Sequence, residues 1–180
     1  MRTTSRERII ASQSGLRSER AGWAVFLGVA ALVLVADQAS KYLVLGNLSV
    51  GEMWNPVPLL RPFVTLTHVT NTGAAFGLFQ AHGTLFAIVA ILVVGGMLIF
   101  YRYLPPGQLL LKVSLGLQLG GAIGNLLDRV RLGSVVDFID FKIWPVFNVA
   151  DMAIVAGVAI LAFYLLFGKQ EDEQRLEGQN

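Results

Sequence analysis

Four long apolar segments run through the chain, separated by two mixed segments and one short connection. Each apolar segment approaches the roughly 20 residues that a membrane-spanning helix needs. The pattern therefore predicts four transmembrane helices, over residues 22–45, 84–103, 109–127 and 148–167.

The two longer connections carry strand patterns. Residues 63–69 alternate apolar and polar side chains, and residues 135–143 do so in part, which is typical of half-buried strands. Pairing these segments would satisfy their backbone groups in a small sheet at the membrane surface. A short surface helix is predicted over residues 74–80. The predicted fold class is an all-α membrane protein of four transmembrane helices, with a small β-sheet and a short surface helix on the outer face.

Composition supports a membrane-embedded chain. Of its 180 residues, 54% are hydrophobic and only 14% are charged, against roughly 25% charged in ordinary soluble domains. We expect one membrane domain over residues 22–168, between a basic tail (1–21) and an acidic tail (169–180) that are both disordered. The first segment is not followed by a small-x-small cleavage site, which disfavours a cleaved signal peptide.

Charge indicates orientation and excludes some partners. Most of the 14 lysines and arginines lie in the two tails and in the connection between the second and third apolar segments, and this side is predicted to be cytoplasmic. Both termini then face the cytoplasm. The net charge of +2 is too small, and the basic residues are too scattered, for a nucleic-acid surface. The absence of cysteine excludes thiol catalysis and disulfides.

Polar residues gather where the third and fourth segments meet the outer side. Ionisable groups are costly at membrane depth, so a cluster of acids there points to function. The third segment also has glycines at every fourth position, which favours close helix packing. The cluster consists of Asn125, Asp128, Arg129, Asp137, Asp140, Asn148 and Asp151, and the glycines are Gly116, Gly120 and Gly124.

Asp137 and Asp151 are the candidate reactive pair. Asn148 followed three residues later by Asp151 resembles a capping box, so Asp151 alternatively serves only as a helix cap. If Asp137 folds back against Asp151, the two carboxylates cannot both ionise and should share one proton. The helix dipole favours ionised Asp151, which leaves the proton on Asp137. Such a pair can activate water against a peptide carbonyl.

Other polar residues receive simpler interpretations. Arg129 either pairs with Asp128 or binds a substrate carbonyl or lipid phosphate. Asp37 and Lys41, four residues apart on one helix, are predicted to form a structural brace. The remaining candidates are expected at surface or structural positions. They are Asp140, His68 and His82. Serine nucleophiles are poorly supported, since neither Ser114 nor Ser134 has an obvious histidine partner.

Five motifs in order resemble the bacterial lipoprotein signal peptidase, or type II signal peptidase. They are Asp37-Gln-Ala-Ser-Lys41, Asn71-Thr-Gly-Ala-Ala-Phe-Gly77, Gly120-Gly-Ala-Ile-Gly-Asn125-Leu-Leu-Asp128-Arg129, Gly133-Ser-Val-Val-Asp137-Phe and Phe147-Asn-Val-Ala-Asp151. The resemblance covers roughly residues 22–167. It implies a multi-pass aspartic protease of the bacterial inner membrane, active without metal or cofactor, whose catalytic aspartates match Asp137 and Asp151.

The resemblance also implies partners and supporting residues. The substrate is a prolipoprotein whose cysteine carries diacylglycerol, cleaved just before that cysteine. The expected partners are such substrates, membrane lipids and globomycin-like inhibitors. Asp37 and Lys41 match a motif to which we assign a structural role. The residues matched to substrate binding or site support are Asn71, Gly73, Asn125, Asp128, Arg129 and Asn148.

Two other functional classes remain as alternatives. A metal-dependent membrane phosphotransferase would use Asp128, Asp137 and Asp140 as ligands, but the spacing departs from that signature. A proton-coupled transporter would use the same acids as a relay, although acids on one side alone give no path across the membrane.

Overall fold

The structure is a computed structural model that describes residues 5–73, 83–104 and 108–168. Within these ranges the chain forms four α-helices and three short strands. A 3₁₀ turn over Pro58–Leu60 lies between the first two strands, and a π-helical turn over Tyr164–Gly168 continues the last helix. In chain order the elements are α1 (Ser5–Asn47), β1 (Met53–Trp54), β2 (Thr65–Asn71), α2 (Gly83–Tyr101), α3 (Leu109–Leu132), β3 (Val135–Asp140) and α4 (Val149–Phe163).

Three helical stretches of the described residues are long and apolar enough to cross a membrane: Glu19–Asn47, Leu109–Leu132 and Val149–Phe167. The apolar stretch of α2, Leu85–Tyr101, is shorter. A helix therefore lies at each of the four predicted positions, and three of the four have spanning length.

The ends of the chain differ in part from the expectation. Helix α1 begins at Ser5, so residues 5–21 are helical where a disordered tail was expected. The predicted surface helix over residues 74–80 and the acidic tail over residues 169–180 lie outside the described residues.

Helix α3 occupies the centre and packs against α1, α2 and α4. Its glycines make this possible, as the four-residue spacing predicted. A Cβ added at Gly120 would lie 2.5 Å from the backbone oxygen of Ala30 on α1, and one added at Gly116 would lie 2.8 Å from that of Phe26. On the other side of α3, Gly121 is in similarly close contact with Ala150 of α4. The backbones of α1 and α4 therefore both approach α3 directly.

The strands form an antiparallel sheet in the order β1, β2, β3. The predicted pairing of the two longer connections is confirmed, with Val69 opposite Asp137 and Asn71 opposite Val135. A register irregularity between Leu66 and Val69 marks a β-bulge. Strand β1 was not predicted, because two residues are too few to show an alternating pattern.

The sheet is attached to the end of α1 by a small apolar cluster of Val44, Val136 and Phe138. Because side chains alternate along a strand, Asp137 points away from this cluster. Residues 136–138 therefore anchor the strand through two apolar side chains and present one carboxylate on the opposite face.

Candidate active site

Asp137 is held in the middle of β3 with its side chain 1% exposed. Its two carboxylate oxygens each accept a hydrogen bond from an asparagine amide. Asn71 Nδ2 donates to Asp137 Oδ2 at 2.8 Å, and Asn148 Nδ2 donates to Asp137 Oδ1 at 2.7 Å. These donors come from the neighbouring strand and from the cap of α4, so Asp137 is oriented from two sides.

Asp151 lies in the first turn of α4 and completes a capping box with Asn148. Asn148 Oδ1 accepts from the Asp151 backbone N–H at 2.9 Å, and Asp151 Oδ2 accepts from the Asn148 backbone N–H at 3.2 Å. The predicted cap is therefore confirmed. It does not use all of the carboxylate, because Asp151 Oδ1 accepts a separate bond from Asn125 Nδ2 at 2.7 Å.

Asn148 brings the two acids together. This residue is fully buried; its side-chain amide donates to Asp137 and its backbone N–H donates to Asp151. Both carboxylates therefore contact one residue. The carboxylate of Asp151 is only partly buried, and Asn71 on the other side of the site is exposed, so the pair lies at the edge of the part of the chain that the structure describes.

A buried charge cluster supports the pair from the α1 side. Lys41 is 2% exposed, and its Nζ lies 2.8 Å from Asp37 Oδ2, 2.9 Å from Asp128 Oδ2 and 2.9 Å from Asn125 Oδ1. Asp37 and Lys41 therefore form an ion pair, as a structural brace would require. The alternative of an Asp128–Arg129 ion pair is wrong, because Asp128 pairs with Lys41, a residue 87 positions earlier that local spacing could not reveal.

The two acids of this cluster also bind backbone next to the candidate pair. Asp37 Oδ1 accepts from the Ala150 N–H at 3.0 Å, and Asp128 Oδ2 accepts from the Val136 N–H at 3.1 Å. Ala150 precedes Asp151, and Val136 precedes Asp137. Gly124 is required here, because a Cβ would lie 2.5 Å from Asp37 Oδ2.

Gln38 is a site-supporting residue that sequence reasoning missed. Its Nε2 lies 3.1 Å from Asp37 Oδ2 and 3.0 Å from Asp128 Oδ1, so it links the two acids. The available signal was its place inside the Asp37-to-Lys41 motif, next to a charge that needs a donor.

Asn71, Gly73 and Arg129 border the site. Asn71 Oδ1 accepts from the Gly73 N–H at 2.8 Å, which leaves the Asn71 amide nitrogen directed at Asp137. Gly73 has φ +85°, and a Cβ there would lie 2.5 Å from the Phe86 ring, so glycine is required on both grounds. The Arg129 guanidinium lies 5.7 Å from the centre of the same ring, within range of a cation–π interaction.

The remaining candidates are placed away from the acid pair. His68 is 3% exposed, with Nδ1 2.8 Å from the Leu48 oxygen, which agrees with a structural role. Ser114 donates to the Gly157 oxygen between α3 and α4. Asp140 is half-buried and binds Lys142 Nζ at 2.6 Å. His82 lies outside the described residues.

The electrostatics of Asp137 differ from those of an ordinary carboxylate. Burial raises the pKa of Asp137 from 3.8 to about 6; the hydrogen bond from Asn71 opposes the shift, and the negative charge of Asp151 increases it. A carboxyl with a pKa near neutrality can hold a proton and release it, which suits an acid–base catalyst.

Comparison with known proteins identifies the family. A family model described as signal peptidase (SPase) II matches residues 29–167. This chain belongs to the signal peptidase II family. It is 53% identical over 141 residues to the lipoprotein signal peptidase of Moorella thermoacetica, covering 78% of this chain and 92% of that protein. It is 43% identical over 137 residues to that of Halothermothrix orenii, covering 76% and 92%.

A solved structure shows the same architecture. It is described as a bacterial membrane enzyme determined by the in meso method at 1.9 Å resolution, and it superposes with a TM-score of 0.72 at 32% identity, covering 79% of this chain and 92% of that one. As a signal peptidase II, the protein is a protease, and its apolar helices are those of a multi-pass membrane protein.

The raised pKa of Asp137 has a consequence for stability. The pKa of Asp137 is higher in the folded protein than in the unfolded chain. Protonated Asp137 therefore contributes to the free energy of unfolding in full below about pH 4, and this contribution is lost as the pH rises through 6. The rise of the Asp137 pKa from 3.8 to about 6 corresponds to about 3 kcal/mol. Asn cannot ionise, so the melting temperature of Asp137→Asn relative to the wild type should rise between pH 4 and pH 7 in detergent.

Asp140→Asn is the matched control on the same strand. Burial acts to raise the pKa of Asp140, but hydrogen bonds from Lys142 lower it overall. This variant should therefore lose melting temperature relative to the wild type as the pH rises, opposite to Asp137→Asn. If the melting temperatures of Asp137→Asn and the wild type differ by the same amount at every pH, the pKa of Asp137 is not raised.

Proposed function

We propose that this protein removes the signal peptide of diacylglyceryl-modified prolipoproteins by cleaving before the lipidated cysteine, with Asp137 and Asp151 as the catalytic pair. The observation that carries the assignment is Asn148, which donates to Asp137 through its side chain and to Asp151 through its backbone. Two carboxylates held by one buried residue have the arrangement that an aspartic protease needs.

The chemistry follows from the different surroundings of the two acids. Asp137 is the more deeply buried and has the raised pKa, so it holds the shared proton in the resting enzyme. Asp151 lies in the first turn of α4, where the helix dipole favours the carboxylate. Ionised Asp151 removes a proton from water, and Asp137 donates its proton to the carbonyl oxygen as the water attacks. The resulting diol collapses when Asp151 passes its proton to the leaving nitrogen and Asp137 recovers its own.

Of the residues around the pair, two asparagines orient Asp137 and Arg129 binds substrate. Asn71 and Asn148 direct the Asp137 carboxyl through its two oxygens. Arg129 is bonded to the Asn125 backbone oxygen at 3.3 Å and lies above Phe86, which leaves further N–H groups for a substrate carbonyl. We assign this role to Arg129 in place of the ion pair with Asp128.

The lipid on the substrate fixes its depth. Each buried methylene of an acyl chain contributes ~0.8 kcal/mol to membrane binding, so a diacylglyceryl cysteine stays at the interface. The acid pair lies at the same level if the four apolar helices all span the inner membrane and the sheet faces outwards. In that arrangement both termini are cytoplasmic and water reaches the pair from the outer side.

The alternative functions fit the geometry less well. A metal-dependent phosphotransferase would need Asp128, Asp137 and Asp140 as ligands, but Asp128 is paired with Lys41 and Asp140 with Lys142. Asp137 already accepts two amide hydrogen bonds. The three acids thus have three different sets of partners.

Substitution of either acid tests the catalytic pair. Asp137→Asn and Asp151→Asn keep side-chain size but remove the ionisable group, so each should reduce cleavage of a purified lipidated precursor by at least about a thousandfold. Each variant should also bind globomycin more weakly. Asp140→Asn, an acid on the same strand outside the pair, should cleave like the wild type, and EDTA should have no effect. Cleavage by either pair variant at more than a tenth of the wild-type rate would refute the assignment.

The proposed orientation is testable because the chain has no cysteine. Leu59→Cys places a thiol on an 83% exposed position before β2, and Tyr103→Cys places one on a 77% exposed position after α2. In intact cells a membrane-impermeant maleimide should label Leu59→Cys alone. After the membrane is permeabilised, both should react. Labelling of Tyr103→Cys in intact cells would contradict the proposed orientation or the proposed number of spans.

A further inference from the structure

We propose that Lys41 is a positioning residue of the catalytic pair: by binding Asn125 Oδ1 it turns the Asn125 amide so that its NH₂ group faces Asp151, and it thereby keeps Asp151 ionised and the proton on Asp137. The inference rests on the proposed function. It extends the role of Lys41 beyond the structural brace with Asp37.

Lys41 has no capacity left for substrate. A lysine ammonium carries three N–H donors and no acceptor. The three acceptors around Nζ, on Asp37, Asp128 and Asn125, use all three donors. With 2% exposure the side chain also has no access to a bound peptide. Any effect of Lys41 on catalysis must pass through these partners.

Two donors, Lys41 and Asn148, set the orientation of Asn125. Because Nζ can only donate, the Asn125 atom that faces it must be the oxygen. Asn148 Nδ2 donates to the same oxygen at 3.1 Å, which requires the same orientation. The Asn125 nitrogen is then left to donate to Asp151 Oδ1 at 2.7 Å.

This donor selects the protonation state of Asp151. A hydrogen bond given to a carboxylate stabilises its ionised form. If the Asn125 amide were reversed, its oxygen would face Asp151 Oδ1, and that contact would be favourable only with a proton between them. Lys41 therefore disfavours protonated Asp151 through two hydrogen bonds, its own to Asn125 and that of Asn125 to Asp151.

The two acid partners of Lys41 extend the same control. Asp37 binds the backbone next to Asp151, and Asp128 binds the backbone next to Asp137. The positive charge of Lys41 acts on Asp137 in the opposite sense, because it favours the ionised form of that residue. The effect that places the proton on Asp137 therefore passes through Asn125 and not through the charge of Lys41 alone. Among the described residues, the other charged groups near the pair are Asp37 from α1 and Asp128 and Arg129 from α3. Strand β2 contributes the neutral Asn71, and α2 has no charged residue.

The test compares the pH dependence of kcat/KM in Lys41→Met with that in Asp37→Asn. Lys41→Met removes both the charge and the donor to Asn125. Both limbs of the profile should move to higher pH by about one unit, with KM changed less than about twofold because Lys41 does not touch substrate. Asp37→Asn breaks the same ion pair but keeps the Lys41–Asn125 bond, so its limbs should not move upwards.

A second comparison covers the case in which Lys41→Met does not fold. Lys41→Met/Asp37→Asn removes one positive and one negative charge and should show the upward shift when compared with Asp37→Asn alone. The same shift is expected in the pH dependence of the melting temperature, which requires no turnover. If the wild type does not cleave precursor but this shift appears, the proposed function fails and the role of Lys41 stands. The inference would be overturned if the variants that carry Lys41→Met had the same pH profile as Asp37→Asn and differed from it only in a lower melting temperature.

Discussion

The organisation of this protein depends on keeping two carboxylates close together at the end of a helix bundle. Like charges in a poorly solvated place repel, and each needs hydrogen-bond donors to replace lost water. Three asparagines, Asn71, Asn125 and Asn148, supply these donors from three different parts of the chain. Neutral donors hold the acids without neutralising them, which the proposed sharing of one proton between them requires.

The bundle provides the rigidity that this arrangement requires. The glycines of α3 let α1 and α4 approach its backbone. The charge cluster of Asp37, Lys41 and Asp128 then ties the ends of these helices nearest the sheet to β3. Breaking one partner of a buried ion pair typically costs 3–5 kcal/mol, so the cluster resists rearrangement. The cluster therefore couples helix packing to the geometry of the acids.

Much of this was predictable from local patterns, and the rest was not for a physical reason. Hydrophobic length located the four helices, alternation located β2 and β3, and the Asn148–Asp151 spacing identified the cap, because each signal lies within one segment. The partner of Asp128 and the bridging role of Gln38 depend on contacts between residues about 90 positions apart. Strand β1 and the helical extension to Ser5 have no periodic signal that distinguishes them.

Infrared spectroscopy of the purified protein tests the single shared proton most directly, because a protonated carboxyl has a C=O absorption that a carboxylate lacks. We expect one such absorption near neutral pH, titrating with an apparent pKa near 6. It should be absent in Asp137→Asn and retained in Asp140→Asn. Persistence of this absorption in Asp137→Asn would contradict a single proton held by Asp137. Loss of both protons near pH 4, with neither carboxyl influencing the other, would contradict it as well.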